Sequence, residues 1–228
     1  MRIRRHTSSD LNSELQQEFM TAMIADYGVI LAGGRGRRMG ETNKALLQLG
    51  DRSLIQWVVD TARPQVGELL LSVNRDPQAY AHLSLRQFPD YRDGYSGPLL
   101  GIVSAMREMR TLGKNDAETL LACFPADVPV FPNDIVARLI ELLNQSGADL
   151  SLVQTGAQLQ PLFSVWKLSS LPQLEKAVDE GLAGPKLVLP RLHSVTLETE
   201  AQGAEFMNIN SPEDLIAVRE TCGLARPD

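Results

Sequence analysis

The feature that most constrains the fold is the alternation of apolar, strand-like runs with amphipathic, helix-like stretches along most of the 228-residue chain. The pattern predicts strands over 27–31, 66–73, 84–88, 119–124 and 149–154, and helices over 54–62, 99–110 and 133–143. Strands that alternate with helices usually pair in parallel through right-handed crossovers. The sequence therefore predicts an α/β fold with a single doubly wound, mostly parallel sheet of Rossmann-like topology.

Beyond residue 155 the alternation loosens. Strands are predicted over 162–166 and 194–197, and helices over 171–180 and 212–220. No Gly-, Ser- or Pro-rich linker, internal repeat or low-complexity tract divides this part of the sequence. We therefore expect one domain over residues 26–228.

Residues 1–25 differ from the rest of the chain. They carry arginines at positions 2, 4 and 5 and lack the 7–15-residue apolar core of a secretory signal. We expect a poorly ordered N-terminal extension, or a short surface helix, ahead of the domain.

Net charge, the length of apolar runs and the number of cysteines limit which kinds of protein this chain can be and which partners it can bind. The formal net charge of −6 and the pI of about 5.2 argue against a nucleic-acid binder, whose footprint is usually basic. No apolar run approaches the roughly 18–20 residues that span a bilayer. Two cysteines are too few for a disulfide framework, so a reducing cytoplasm is the expected location.

The first predicted strand runs directly into a basic glycine loop. Between Gly33 and Lys44 there are four glycines and four cations against one acid. Glycines let the backbone approach a ligand with its N–H groups bare, and cations suit phosphate oxygens. On an acidic protein this favours a small polyanion such as a nucleoside triphosphate. A solvated surface loop is the alternative.

Two known phosphate loops do not fit this segment. No Gly-Lys-Ser or Gly-Lys-Thr closes it, which excludes a P-loop. Gly34, Gly36 and Gly40 are spaced one residue too far for a dinucleotide fingerprint, and the next predicted helix begins only at Leu54.

Two further segments fall at the carboxyl ends of predicted parallel strands, where ligands bind in open sheets. They are the Gly97–Gly101 turn and Asp127, which lies between two prolines. A carboxylate fixed at a strand end is a suitable ligand for Mg²⁺, which uses one or two carboxylates plus substrate phosphates. The alternative for Asp127 is a turn-capping aspartate.

Other polar residues leave two interpretations open. Asp90 and Asp93 lie in a turn-rich run and are either turn formers or ligand contacts. Asn208 and Asn210 flank Ile209 in an extended segment, so both amides share one face and could bind a metal or a ribose. Asn210 could instead simply precede a helix that Ser211 caps.

These motifs together resemble a known superfamily. The run Leu31-Ala32-Gly33-Gly34-x-Gly36-x-Arg38-Met39-Gly40, with Lys44 following, resembles the signature of nucleotidyltransferases. The likeness is closest to the molybdenum cofactor guanylyltransferase family. It extends through Gly97-Pro98-Leu99-x-Gly101, Pro125-x-Asp127-x-Pro129 and Asn208-x-Asn210-Ser211-Pro212-Glu213-Asp214-Leu215, and covers roughly residues 27–220.

The resemblance implies a role for each matching residue on the nucleotide side. The nucleotide-binding turn would be formed by Leu31, Ala32, Gly33 and Gly34. Arg38 and Lys44 would meet the triphosphate and, with Asp127, carry the catalysis. Asp90 would contact the nucleotide, and Gly97 and Gly101 would shape the base and ribose pocket.

The resemblance also implies a metal and a second substrate. Asp127 would bind Mg²⁺, and Asn210, with Asn208 beside it, would lie near the metal or the molybdopterin phosphate. Two positions depart from the family pattern, which commonly has Asp where Asn43 stands and often has Thr where Ser211 stands. Ser211 keeps the capping hydroxyl, whereas Asn43 removes a charge from the loop.

The expected reaction transfers GMP from GTP to the terminal phosphate of molybdopterin and releases pyrophosphate. GTP and molybdopterin are the expected partners, with accessory proteins of cofactor biosynthesis, and neither nucleic acid nor a membrane is expected. Alternatives are a related cytidylyl- or sugar-nucleotidyltransferase, a non-catalytic module that binds nucleotide or molybdopterin, and, as the weakest, a Rossmann oxidoreductase. The three histidines have no metal-ligand spacing, and no nucleophile elbow or Cys–His pair suggests covalent catalysis.

Overall fold

The computed structural model describes residues 23–33, 43–93 and 97–224. Nine strands lie in these ranges: β1 (Ala25–Leu31), β2 (Gln48–Leu49), β3 (Arg52–Ser53), β4 (Val66–Ser72), β5 (Arg86–Phe88), β6 (Leu120–Pro125), β7 (Leu150–Thr155), β8 (Gln158–Lys167) and β9 (Ser194–Thr199). The helices of this part of the chain are α1 (Leu54–Ala62), α2 (Pro98–Thr111), α3 (Ile135–Ser146), α4 (Leu171–Asp179) and α5 (Pro212–Thr221). The predictions made for residues 1–22 lie outside these ranges.

Seven strands form one sheet in the order β5-β4-β1-β6-β8-β7-β9, and β2 and β3 form a separate two-stranded ribbon. The neighbours of β1 and β4 are all parallel, and β7 pairs with β9 in parallel. Only β8, among the seven, runs antiparallel to its neighbours β6 and β7. The predicted α/β class, with a doubly wound and mostly parallel sheet, is confirmed.

The strand predicted over 162–166 is longer than its apolar pattern indicates. β8 begins at Gln158 and forms a hairpin with β7, turning at Gly156, whose φ is +55°. The register shifts between Leu152, opposite Ser164, and Val153, opposite Gln160. Pro161 lies in the extra stretch of β8, and because proline has no N–H to give to a ladder, it is tolerated at such an irregularity.

The sheet is covered on both faces. In β1, Val29 and Ile30 are both fully buried but point to opposite sides, because successive side chains of a strand alternate. Helices α1 and α3 pack with Ile30 on one face, and α2 and α4 pack with Val29 on the other. A strand buried on both faces reads as a continuous apolar run, which explains why β1 was recognisable in the sequence.

A third, smaller cluster joins the C-terminal segment to the β2–β3 ribbon. Leu49, Leu54, Ile209 and Val218 are fully buried against one another, so α5 packs beside the start of α1. This packing brings residues 206–210 to the carboxyl edge of the sheet. Of the helices described, none is both long and apolar enough to cross a membrane.

Candidate functional site

The carboxyl ends of β1, β4, β5 and β6 meet at one edge of the sheet. Leu31, the last residue of β1, lies opposite Ser72 of β4 and Pro125 of β6. The Ala32 N–H donates to the Ser72 carbonyl oxygen at 3.0 Å, so the chain leaves the sheet between these two strand ends. Leu31 and Ala32 thus lie at the edge where the sequence placed the nucleotide-binding turn.

Two predicted site residues, 166 positions apart in the chain, are in direct contact. Lys44 Nζ donates a hydrogen bond of 2.8 Å to Asn210 Oδ1. Lys44 also opens a short 3₁₀ turn, Lys44–Leu46, at the end of the glycine loop. We refer to Lys44, Asp127 and Asn210 as the Lys44 cluster.

Asn210 reaches this position because its segment pairs with the loop that follows β6. The Phe206 N–H donates to the Val130 carbonyl oxygen at 2.9 Å, and the Ile209 N–H donates to that of Asp127 at 3.0 Å. Ile209 is fully buried, whereas Asn208 is half-buried and Asn210 is exposed. The two asparagines therefore lie on the open side of this segment, next to Asp127.

The start of α5 fixes the backbone of Asn210. The Asp214 carboxylate accepts hydrogen bonds from the N–H groups of Asn210 and Ser211, at 2.8 and 2.9 Å, and the Ser211 hydroxyl accepts from the Asp214 N–H. These bonds lower the pKa of Asp214, with the Asn210 N–H as the largest cause. Asn210 therefore both precedes the helix cap and contacts Lys44, so the two interpretations of this residue are compatible.

Asp127 is the half-buried carboxylate of the Lys44 cluster. Burial raises its pKa, and its own backbone N–H and the charge of Lys44 offset only part of that effect. A carboxylate that burial destabilises is stabilised by a bound cation. Among the described residues, no group of three or more His, Cys, Asp or Glu side chains could hold a metal ion. A single carboxylate is a suitable ligand for Mg²⁺, which commonly uses one or two carboxylates together with waters and substrate phosphates.

A second group of residues lies at the ends of β4 and β5. The Asn74 side chain makes two hydrogen bonds with Asp90: Nδ2 donates to Oδ2 at 2.7 Å, and Oδ1 accepts from the Asp90 N–H at 2.8 Å. The other carboxylate oxygen of Asp90 is buried without a partner among the described residues. Burial raises the pKa of Asp90, which the Asn74 bond partly offsets.

Two glycines enclose this pair without leaving room for a side chain. A Cβ at Gly33 would lie 2.7 Å from Asn74 Nδ2, and one at Gly101 would lie 2.9 Å from a Leu31 methyl group. The same Cβ at Gly101 would lie 3.8 Å from the unpartnered oxygen of Asp90. We refer to Gly33, Asn74, Asp90 and Gly101 as the Asp90 cluster.

Gly97 lies one helical turn before Gly101 and has a different environment. Its φ is +72°, and a Cβ there would lie 2.3 Å from the Ala183 carbonyl oxygen. That oxygen accepts a hydrogen bond of 3.1 Å from the Leu99 N–H. Gly97 therefore lets the start of α2 dock against the segment that follows α4.

Sequence reasoning missed Asn74. It lies one residue beyond the predicted strand over 66–73, so the rule that singled out Asp127 would also have found it. Asp93 is exposed in the turn after Asp90. Gly34 and Arg38 lie outside the residues that the structure describes, and their roles stay predictions.

A mostly parallel sheet whose carboxyl edge gathers Gly33, Lys44 and Asp127 is the arrangement that the sequence resemblance predicts for a nucleotidyltransferase. Residues 28–195 match the family described as "MobA-like NTP transferase domain". The chain belongs to this family, which confirms the resemblance seen in the sequence and makes the protein a nucleotidyltransferase enzyme.

Relatives and solved structures agree with this assignment. A "Molybdenum cofactor guanylyltransferase" of Shewanella pealeana is 35% identical over 185 residues, which are 81% of this chain and 89% of the relative. One of Shewanella halifaxensis is 34% identical over 85% of this chain and 92% of its own. The fold is also that of molybdopterin-guanine dinucleotide biosynthesis protein A from Archaeoglobus fulgidus, with a TM-score of 0.70 at 24% identity, covering 86% of this chain and 98% of that one.

Proposed function

We propose that the protein transfers GMP from GTP to the terminal phosphate of molybdopterin, releasing pyrophosphate and forming a guanine dinucleotide cofactor. The observation that carries the proposal is the contact of Lys44 with Asn210 beside the half-buried Asp127. A cation, a carboxylate and two amides there suit a reaction between two phosphate groups. The names of the Shewanella relatives, "Molybdenum cofactor guanylyltransferase", support a guanylyl donor and a molybdenum cofactor acceptor.

The reaction needs charge neutralisation and alignment more than covalent help. An oxygen of the acceptor phosphate attacks the α-phosphorus of GTP, the bond between that phosphorus and the bridging oxygen breaks, and its electron pair leaves on pyrophosphate. The attacking phosphate is already ionised, so no general base is required. Lys44, with Arg38 from the glycine loop, offsets the negative charge that gathers on the phosphates.

Asp127 would hold Mg²⁺, with Asn210 as a further oxygen ligand. When bound, the ion supplies positive charge at the phosphates of GTP. Lys44 already donates to the Oδ1 atom of Asn210, so Asn210 would have to release this hydrogen bond to serve as a metal ligand, and would otherwise face the acceptor phosphate. The amide groups of Asn208 and Asn210 can donate to that phosphate in either case.

The Asp90 cluster would contact the nucleoside. The unpartnered Asp90 oxygen is an acceptor, and guanine offers N–H donors on its base-pairing edge. The turn formed by Leu31, Ala32, Gly33 and Gly34 would let the backbone approach the nucleotide closely. Gly101 would keep the floor of this pocket free of a side chain, and Gly97 would set the position of the helix that carries it.

The test is pyrophosphate release by the full chain with GTP, CTP, ATP and UTP, each with and without molybdopterin and with Mg²⁺ or EDTA. We expect release only with GTP, molybdopterin and Mg²⁺ together. Release with CTP instead of GTP would show that the enzyme is a cytidylyltransferase. Release with a sugar phosphate as acceptor would show that it is a sugar-nucleotidyltransferase. GTP binding without any release would leave a binding module. The cytoplasmic location and accessory proteins stay predictions.

A further inference from the structure

The residue immediately before Lys44 makes a contact that the proposed reaction does not use. Asn43 Nδ2 donates a hydrogen bond of 2.6 Å to the hydroxyl oxygen of Tyr80, 37 residues further along the chain. Asn43 is also the position at which the chain departs from the Asp common in the resembling family. The contact joins the end of the glycine loop to the connection between β4 and β5.

Tyr80 is a rigid partner. It is 0% exposed and lies in the middle of the 3₁₀ segment Pro77–Leu83. The residues on either side of this segment, Asp76 and Ser84, both have left-handed backbones, with φ of 46° and 52°. Such conformations cost about 1–3 kcal/mol each in non-glycine residues and persist only where the surrounding structure holds them.

Asn43 in turn holds the backbone that presents Lys44. Its carbonyl oxygen accepts a hydrogen bond of 3.0 Å from the Leu46 N–H, which closes the 3₁₀ turn that Lys44 opens. The Leu47 N–H donates to the Lys44 carbonyl oxygen at 3.0 Å. Lys44 is therefore anchored at its backbone through Asn43 and at its tip through Asn210.

We propose that Asn43 and Tyr80 are positioning residues, whose hydrogen bond fixes the backbone of Lys44 so that its ammonium group meets the triphosphate without rearrangement. This inference rests on the proposed role of Lys44. A lysine side chain has about 2 kcal/mol of rotamer entropy, and charge stabilises a transition state best when it is oriented beforehand. A tyrosine hydroxyl can accept from an amide or donate to a carboxylate, so Asp at position 43 keeps the link.

The first experiment removes only the hydroxyl group. Tyr80→Phe should lower the kcat for pyrophosphate release from GTP and molybdopterin by about tenfold to a hundredfold, as displacement of a catalytic group does, with the KM for molybdopterin unchanged. Tyr27→Phe is the matched control, because Tyr27 is also a buried tyrosine but lies near the amino end of β1, away from the carboxyl edge that holds the Lys44 cluster. It should keep the parent kcat.

A double-mutant cycle separates positioning from general damage. Asn43→Ala should lower kcat as much as Tyr80→Phe, and the double variant should be no slower than either single variant, because both remove the same link. In the parent protein, which has Tyr80, Asn43→Asp should retain most of the activity. Combined with Tyr80→Phe, Asn43→Asp should be as slow as Tyr80→Phe alone. Thermal unfolding midpoints are compared for all variants.

An activity-independent readout makes failure of the inference distinguishable from failure of the proposed function. Hydrogen exchange of the Leu46 and Leu47 amides should speed up in Tyr80→Phe and not in Tyr27→Phe. Parent-like kcat and exchange in Tyr80→Phe, with Lys44→Ala inactive, would overturn the inference and leave the function standing. Parent-like activity of Lys44→Ala would overturn the function, while faster exchange would still support the anchor.

Discussion

The Lys44 and Asp90 clusters lie at the same sheet edge but are built in different ways. The Lys44 cluster depends on charge, and its defining hydrogen bond joins residues 166 positions apart. The Asp90 cluster depends on shape: an amide and a carboxylate 16 positions apart interlock, and two glycines leave no space around them. We therefore expect the Lys44 cluster to supply electrostatic stabilisation and the Asp90 cluster to select and hold the nucleotide.

This comparison predicts different defects. Loss of a charge in the Lys44 cluster should slow the chemical step and change stability little or favourably. Loss of fit in the Asp90 cluster should weaken nucleotide binding or destabilise the fold.

The largest effect is expected at Lys44. Lys44→Ala should lower kcat by about a hundredfold to a thousandfold, the usual loss when one group that stabilises transition-state charge is removed. The side chain is only half-buried, so the unfolding midpoint should stay near that of the parent. Steady-state pyrophosphate release measures the effect, and Lys114→Ala, at an exposed lysine after α2, is the control. Equal activity of the two variants would contradict the proposal that the charge of Lys44 stabilises the transition state.

Asp127→Asn should produce a nearly comparable loss of activity, about a hundredfold, together with a gain in stability. The pKa of Asp127 is raised in the folded state, so the folded protein binds more protons than the unfolded chain as the pH rises through the carboxyl range. By linkage its free energy of unfolding falls over that window, which ends at the raised pKa. The metal-free variant should therefore be more stable than the parent above that pKa, and equal to it at acid pH.

Thermal unfolding in EDTA across a pH series measures this difference. Asp134→Asn, at an exposed aspartate before α3, is the matched control and should leave activity unchanged. A less stable Asp127→Asn protein at neutral pH would contradict the view that the ionised carboxylate is held there at a cost.

A smaller effect, of a different kind, is expected at Asn74. Asn74→Ala removes both hydrogen bonds to Asp90, and hydrogen bonds to charged groups are worth about 1.5–3 kcal/mol. We expect the Kd for GTP to rise by about thirtyfold, or about 2 kcal/mol, with a smaller change in kcat. Calorimetric titration with GTP tests it, with Asn144→Ala on the exposed side of α3 as the control. A fall in kcat with an unchanged Kd for GTP would contradict the binding role that distinguishes the Asp90 cluster from the Lys44 cluster.

The smallest effect is expected at Gly101. A methyl group there meets a Leu31 methyl at 2.9 Å and the Ser72 hydroxyl at 3.3 Å. Because the Leu31 side chain can move, Gly101→Ala should cost about 1 kcal/mol of unfolding free energy, the low end for overpacking. Gly184→Ala, where nothing lies within 4 Å of the added Cβ, should fall within about 0.5 kcal/mol of the parent in urea unfolding.

Local patterns predicted most of the fold. β1, β4, β6 and the helices were recognisable because buried strands are short apolar runs and amphipathic helices repeat every 3.6 residues. The rule that ligands bind at the carboxyl ends of parallel strands then placed Lys44 and Asp127 at one edge without any tertiary information. The antiparallel direction of β8 was not predictable in this way, because strand direction depends on the connecting turn and not on the apolar pattern.

Side-chain partnerships were also beyond the sequence. The hydrogen bonds of Asn43 with Tyr80 and of Asn74 with Asp90 depend on how loops fold back on the sheet. The 3₁₀ segment Pro77–Leu83 has no strong periodic pattern, so Tyr80 was not recognised. Asn208 and Asn210 were found only through their resemblance to a family motif and their shared face.

The contact between Lys44 and Asn210 also has a consequence for synthesis of the protein on the ribosome. Translation supplies the strands β1, β4 and β6 before residues 208–210 leave the exit tunnel, and domains often begin to fold while they emerge. The nascent chain can thus form the centre of its sheet while Lys44 still lacks its amide partner Asn210. The Lys44 cluster is completed only after residues 208–210 have left the exit tunnel.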